Sequence, residues 1–121
     1  MLYHWLGLGW VSLAICVLLL AKYIGRVSKN KKLNLPLRKI HKPLGLAVIG
    51  ISALHGILSF VKSSERIAVN LTGWMLFLLI ALLAGTFYAK AKLHGKWFRL
   101  HRYFAAFLCI LLLVHIVIAL I

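Results

Sequence analysis

Residues 103–121 read YFAAFLCILLLVHIVIALI, nineteen positions without an Asp, Glu, Lys or Arg. About 20 apolar residues wound as α-helix cross the hydrocarbon core of a bilayer, so this stretch predicts a transmembrane helix. Working outward from it, three more uncharged runs occupy 67–89, 43–61 and 1–21, each 19 to 23 residues long. Every Lys and Arg falls in the stretches between them. A membrane barrel shows short alternating segments rather than solid apolar runs, so the runs predict four helices.

Composition agrees. Of 121 residues, 64% are apolar and only 13% are charged, with 15 Lys plus Arg against a single Asp or Glu and a formal net charge of +14. Soluble domains carry about 25% charged residues of both signs, and disordered chains lack aliphatic and aromatic side chains. Both classes are excluded. A pI near 10.5 invites a nucleic-acid reading, but the placement of the charges, confined to the ends of apolar runs, argues against nucleic acid as a partner.

The first run has no basic start, and no Ala-x-Ala type site follows it, so it reads as a retained helix rather than a signal peptide. Trp5, Trp10, Tyr23, Trp74, Tyr88, Trp97 and Tyr103 fall near predicted helix ends, where amphipathic rings favour the headgroup zone. The connection 22–42 carries eight Lys or Arg and 90–102 carries five, whereas 62–66 has only Lys62 and Arg66 beside Glu65. Short Lys- and Arg-rich loops stay in the cytoplasm. Loops 22–42 and 90–102 are therefore expected in the cytoplasm and both termini outside, in a bacterial or archaeal cytoplasmic membrane. Membrane lipid is the first expected partner, and anionic headgroups or an acidic protein are a secondary use of the charge. The expected fold is all-α: a polytopic membrane protein and four-transmembrane-helix up-down bundle, one domain over 1–121 with helices at about 2–23, 41–61, 68–89 and 100–121.

Ionisable residues within a membrane are functional candidates by default, and here they are histidines. Cys16 and Cys109 lie in apolar runs, where a thiol behaves as a small hydrophobe, and there is no Cys-x-x-Cys-His for covalent haem attachment. His41 opens the second helix and His55 lies inside it; His101 opens the fourth and His115 lies inside that. Both pairs are 14 residues apart. Fourteen residues make almost four turns, so the two members of a pair share a face about 21 Å apart along the axis. The second and fourth helices are expected to be parallel, which sets His41 level with His101 and His55 level with His115. In an up-down bundle such helices are diagonal neighbours that project into a shared interior.

Each of these histidines has a small residue four positions later: Gly45, Ser59, Ala105 and Ala119. A flat macrocycle against a helix needs that clearance, whereas a bare ion does not. Zinc takes three or four protein ligands, and no carboxylate or thiolate stands at matching depth. Haem iron asks the protein for two axial ligands only. The pattern predicts two non-covalent b-type haems, one held by His41 and His101, the other by His55 and His115. Arg38, Lys39, Lys42, Arg99 and Arg102 ring the inner site and match propionate carboxylates; Lys62 and Arg66 are outer equivalents. Topology by itself explains these charges equally well. His4 and His94 lie off the stripes and are expected to ligate nothing. Ala81, Gly85 and Ala89 recur at every fourth residue of the third helix, a stripe for close helix packing, within the bundle or against another subunit. The first helix shows no comparable pattern.

The chain at this point resembles the ferric-reductase-like transmembrane cytochromes b. Leu37–Gly45 (LRKIHKPLG) running on to His55, and Gly95–Tyr103 (GKWFRLHRY) running on to His115, carry the likeness. With the Thr86 region they cover a little over half of the chain. The paired 14-residue spacing is the specific part. The resemblance implies two stacked haems ligated by His41, His55, His101 and His115, passing electrons across the membrane. Members commonly have six helices, and the reductases and oxidases add a flavin and nicotinamide domain. Here there is no Gly-x-Gly-x-x-Gly, so no flavin or nicotinamide site is expected in this chain. The expectation is an electron-transfer subunit of an oxidoreductase complex rather than a complete enzyme. A cytoplasmic flavoprotein, an iron–sulfur protein or the quinone pool would feed it, and an extracytoplasmic acceptor would drain it. The alternatives are a stand-alone haem oxidoreductase between quinone and oxygen, superoxide or ferric iron, and a non-haem transporter or assembly factor that binds a bare metal.

Overall fold

The structure, a computed structural model, describes residues 4–121, with side chains from Leu6 onward. The expectations for the side chains of His4 and Trp5 lie outside the described residues. The described chain is all-helical: α1 His4–Val27, α2 Lys31–Lys62, α3 Ile67–Tyr88, α4 Lys90–Leu93 and α5 Lys96–Leu120. Four of these, α1, α2, α3 and α5, are long and apolar enough to cross a membrane. Their outer faces are apolar and exposed, as at Val17, Ile57, Leu78 and Leu113. Exposed aliphatic faces of this extent are unfavourable in water and suit hydrocarbon.

Helix boundaries depart from the sequence expectation in one direction. The charged stretch 22–42, expected as a loop, is almost entirely helical, because α1 continues to Val27 and α2 begins at Lys31. Likewise α5 begins at Lys96, and 90–93 form the short α4. The reason is physical: Lys and Arg mark where hydrocarbon ends, not where hydrogen bonding along the helix ends, and both are good helix formers. Pro36 and Pro43 lie inside α2. Each removes one backbone N–H from the ladder, a loss that helices near membranes tolerate where neighbours and water re-satisfy the carbonyl.

Only residues 28–30 separate α1 from α2. Lys29 takes a left-handed φ of 55°, and the Ser28 hydroxyl donates to the Gly25 carbonyl at 3.1 Å. Asn30 then caps α2, its Oδ1 accepting the Lys32 N–H at 3.1 Å. Gly25 lets the two helices approach closely, since a Cβ would stand 3.3 Å from Leu37 Cδ1 and 3.4 Å from Asn34 Cα.

The chain divides into two compact units, one ending at His55 and the other spanning Gly56–Ile121. In the first, α1 and α2 run antiparallel: Gly25 meets Asn34 and Leu37, and Gly9 meets His55. In the second, α3 and α5 run antiparallel, with Thr86 against His101 and Thr72 against His115. The last turns of α2 join that unit through a buried polar pair. The Ser59 hydroxyl donates to Asn70 Oδ1 at 3.2 Å, and Asn70 Nδ2 donates to the Ser63 carbonyl at 2.8 Å. Arg66 donates from Nη2 to the carbonyls of Ile118 and Ala119 at 3.2 and 3.1 Å. It thereby caps the C-terminus of α5, where a cation also meets the negative end of the helix dipole.

Loss of a capping side chain costs about 1 kcal/mol. Asn30→Ala is therefore expected to raise amide exchange across 31–34 by roughly fivefold, as 1 kcal/mol corresponds to such a factor. Mass-spectrometric hydrogen exchange of the detergent-solubilised protein reads this, with α3 as the unchanged reference.

Candidate functional site

The histidines singled out by spacing fall on two helices in corresponding places. His41 and His55 lie on α2, and His101 and His115 lie on α5, all four half-buried. The correspondence goes further than the histidines. The order of buried, half-buried and exposed positions over 41–50 recurs position for position over 101–110. Midway between each pair, seven residues from either member, stand the buried Val48 and Leu108.

The partner helices correspond too, which the sequence reading missed. Gly9-Trp10 on α1 and Gly73-Trp74 on α3 bring a bare backbone against the second histidine of each α1/α2 and α3/α5 hairpin. A Cβ on Gly9 would stand 2.8 Å from His55 Cε1 and 3.1 Å from its Nε2. One on Gly73 would stand 3.3 Å from His115 Cε1. In both hairpins the same edge of the imidazole faces the glycine. The signal was present as a Gly-Trp dipeptide near the start of the first and third apolar runs, but only contact across helices gives it meaning. It also alters the reading of α1 as a patternless helix, because Gly9 seats His55.

A carbonyl decides the tautomer of His101 in the second hairpin. His101 Nδ1 lies 2.8 Å from Thr86 Oγ1 and 3.1 Å from the Leu83 carbonyl. A carbonyl only accepts, so Nδ1 carries the proton. The Thr86 hydroxyl gives its own proton to the Leu83 carbonyl at 2.7 Å, which leaves its oxygen free to accept from the ring. His115 repeats the contact: its Nδ1 lies 2.8 Å from Thr72 Oγ1, and that hydroxyl is within 2.9 and 3.0 Å of the Ala68 and Val69 carbonyls. With Nδ1 as the donor, Nε2 of His101 holds a lone pair. Such a back-bonded imidazole is the usual form of a metal-ligating histidine.

The first hairpin differs in chemistry. Matching Gly9 with Gly73 sets Leu8 opposite Thr72 and Lys22 opposite Thr86, so neither hydroxyl is repeated there. Nδ1 of His41 is sealed from solvent. Among all Lys and Arg, only Lys22 and Arg66 are half-buried, and the rest are exposed.

The small residues expected to clear space beside the rings divide into two kinds. A Cβ at Gly45 would meet nothing within 4 Å, and Ala105 and Ala119 are half-buried. Ser59 instead spends its hydroxyl on Asn70, because the end of α2 packs on α3. Arg66, an expected outer carboxylate partner, is turned to the end of α5. Arg38 and Lys42 within α2, and Arg99 and Arg102 in the first turns of α5, are exposed. Gly85 of the small-residue stripe on α3 meets nothing within 4 Å. Among the described residues no three His, Cys, Asp or Glu side chains gather as a metal-ion set. The donor set thus fits a group that takes imidazole nitrogens and brings its other ligands itself.

Gly9→Ala must turn the His55 ring away from its seat, at roughly 0.5–1.5 kcal/mol of off-rotamer strain, whereas Gly45→Ala has room. The side-chain nitrogen resonances of His55 in ¹⁵N-histidine-labelled protein are expected to move in the first variant, with all histidine resonances held in the second.

Comparison with protein-family models, with curated proteins and with solved structures finds no match to this chain.

Proposed function

We propose that this protein carries electrons across a membrane through two b-type haems, as the membrane subunit of an oxidoreductase complex. The observation that carries the proposal is the matched seating of His101 and His115. Each ring sets Nδ1 against the hydroxyl of a threonine already bonded to its own backbone, the orienting contact that a metal-ligating histidine makes. The equal 14-residue spacing on α2 and α5 pairs His41 with His101 and His55 with His115. The resemblance to ferric-reductase-like cytochromes b points the same way.

A bis-imidazole haem supplies reversible one-electron chemistry, with potential tuned by axial ligands, burial and nearby charge. The chain's part is to hold and insulate. His41, His55, His101 and His115 present imidazole nitrogens at two depths, and Thr72 and Thr86 keep two of those rings in one orientation. Gly9 and Gly73 admit the outer rings close to the backbone, while Gly45 and Ala105 leave space beside the inner ones. Val48 and Leu108 fill the interval with hydrocarbon and exclude water. Arg38, Lys42, Arg99 and Arg102 supply charge for propionates and favour the more negative reduced state. The runs 43–61, 67–89 and 103–121 contain no Asp, Glu, Lys or Arg, so no proton relay is read into them. The Lys- and Arg-rich end is assigned to the cytoplasm by the positive-inside bias. The donor there is a flavoprotein, an iron–sulfur protein or quinone, and the acceptor lies on the other side.

A reduced-minus-oxidised spectrum of the purified protein is expected to show a b-type α band, and its absence overturns the proposal. His55→Ala is expected to lose one of two haems, counted as pyridine haemochrome, and keep the inner one; retention of both overturns the pairing. Thr86→Val is nearly isosteric, so the helix should persist while haem affinity falls by about 10–100-fold, the usual cost of removing the group that orients a ligating histidine.

A further inference from the structure

Residues 87–102 form a surface of unusual make-up. α4 raises Lys90 and Lys92, and the first turns of α5 add Lys96, Arg99 and Arg102, all exposed. No acidic residue lies between Arg66 and the last residue, Ile121. The turn is tightly made, with His94 at a left-handed φ of 54° and its N–H bonded to the Lys90 carbonyl at 2.9 Å. Topology requires only that positive charges be present near this end of the helices. It does not require what they surround.

They surround aromatic rings in contact with His101. The Trp97 ring lies edge-on to the His101 imidazole with centroids 6.4 Å apart, and edge-on to Phe87 at 6.4 Å. Phe98 and Tyr88 extend the cluster from Trp97 and Phe87 at 5.6 and 5.5 Å. Lys90 Nζ stands over the Phe87 ring at 4.6 Å, and the Arg102 guanidinium over Phe98 at 5.8 Å. The charges are thereby held at the rim of an aromatic patch rather than waving free, and Tyr88 is 62% exposed. An apolar, aromatic centre with a charged rim is the anatomy of a protein-binding surface. A rim of one sign steers an oppositely charged partner and speeds its encounter.

We infer that the face made by Phe87, Tyr88, Lys90, Lys92, Lys96 and Trp97 is the docking surface for an acidic, soluble electron-transfer protein. It would bring that protein's carrier next to the ring stack leading to His101 and take one electron per encounter. The inference rests on the proposed function for its redox meaning and on charge complementarity for the choice of partner. An anionic lipid headgroup would satisfy the lysines but gives no use to the ring stack.

The test is binding of flavodoxin, as an acidic probe, to the full chain in phosphatidylcholine nanodiscs, where no anionic lipid competes. Lys90, Lys92 and Lys96 are exposed, and exposed substitutions usually change stability by less than about 0.5 kcal/mol. The triple variant Lys90→Gln, Lys92→Gln, Lys96→Gln is therefore expected to fold and to keep the histidine resonances of the parent. Flavodoxin should bind the parent with an affinity that falls at least about tenfold between about 50 and about 300 mM NaCl, as screening shortens the reach of the charges. The variant should lose at least about tenfold at low salt, and the basic cytochrome c should not bind either protein. Equal flavodoxin binding by parent and variant overturns the inference. So does a variant that keeps flavodoxin binding and, in separate nanodiscs containing phosphatidylglycerol, changes only the enrichment of that lipid around the protein. Salt-sensitive flavodoxin binding by a protein that lacks the b-type α band supports the docking surface and overturns the haem reading, so the two fail separately.

Discussion

Hydrocarbon offers no water to a stranded donor or acceptor, and each unsatisfied polar group costs several kcal/mol there. The rest of this molecule depends on that constraint. It forces the backbone into helices, and it favours partners within the chain for the polar side chains along them. Thr72 and Thr86 answer it twice over. Each hydroxyl bonds a carbonyl of its own helix and meets Nδ1 of a histidine on the antiparallel helix. One polar contact thus satisfies a hydroxyl and orients an imidazole. The Ser59–Asn70 pair and the Arg66 cap obey the same constraint at the far ends of the helices.

The two described hairpins share a pattern of residues and burial but differ in chemistry. A glycine followed by tryptophan on the first helix and two histidines 14 residues apart on the second define each hairpin. Burial repeats along 41–50 and 101–110, down to the buried Val48 and Leu108. Where the second hairpin has Thr72 and Thr86, however, the first has Leu8 and the half-buried Lys22.

Charge serves more than one purpose here. The count of Lys and Arg is what a topological bias demands, but the extent of α2 and the placement of α4 are not. Sequence reasoning placed loops over 22–42 and 90–102 because it equated the edge of the apolar runs with the edge of the helices. Asn30 and the backbone of α2 carry the helix through the charges instead, which fixes Lys31, Lys32, Arg38 and Lys39 on a regular scaffold.

From the sequence alone came the four spans, the confinement of charge to their ends, and the four histidines as the candidate chemistry. Those follow from local rules: the length needed to cross hydrocarbon, the cost of charge within it, and the 3.6-residue period that sets two positions 14 apart on one face. Tertiary structure alone decided what touches the histidines. That Gly9 and Gly73 seat the rings of His55 and His115, that Thr72 and Thr86 hold Nδ1, that Ser59 is taken by Asn70 and Arg66 by the end of α5, are contacts between residues 11 to 53 positions apart. No periodicity along one helix encodes them, because they depend on which face each neighbouring helix turns toward it and on the register at which the two backbones meet.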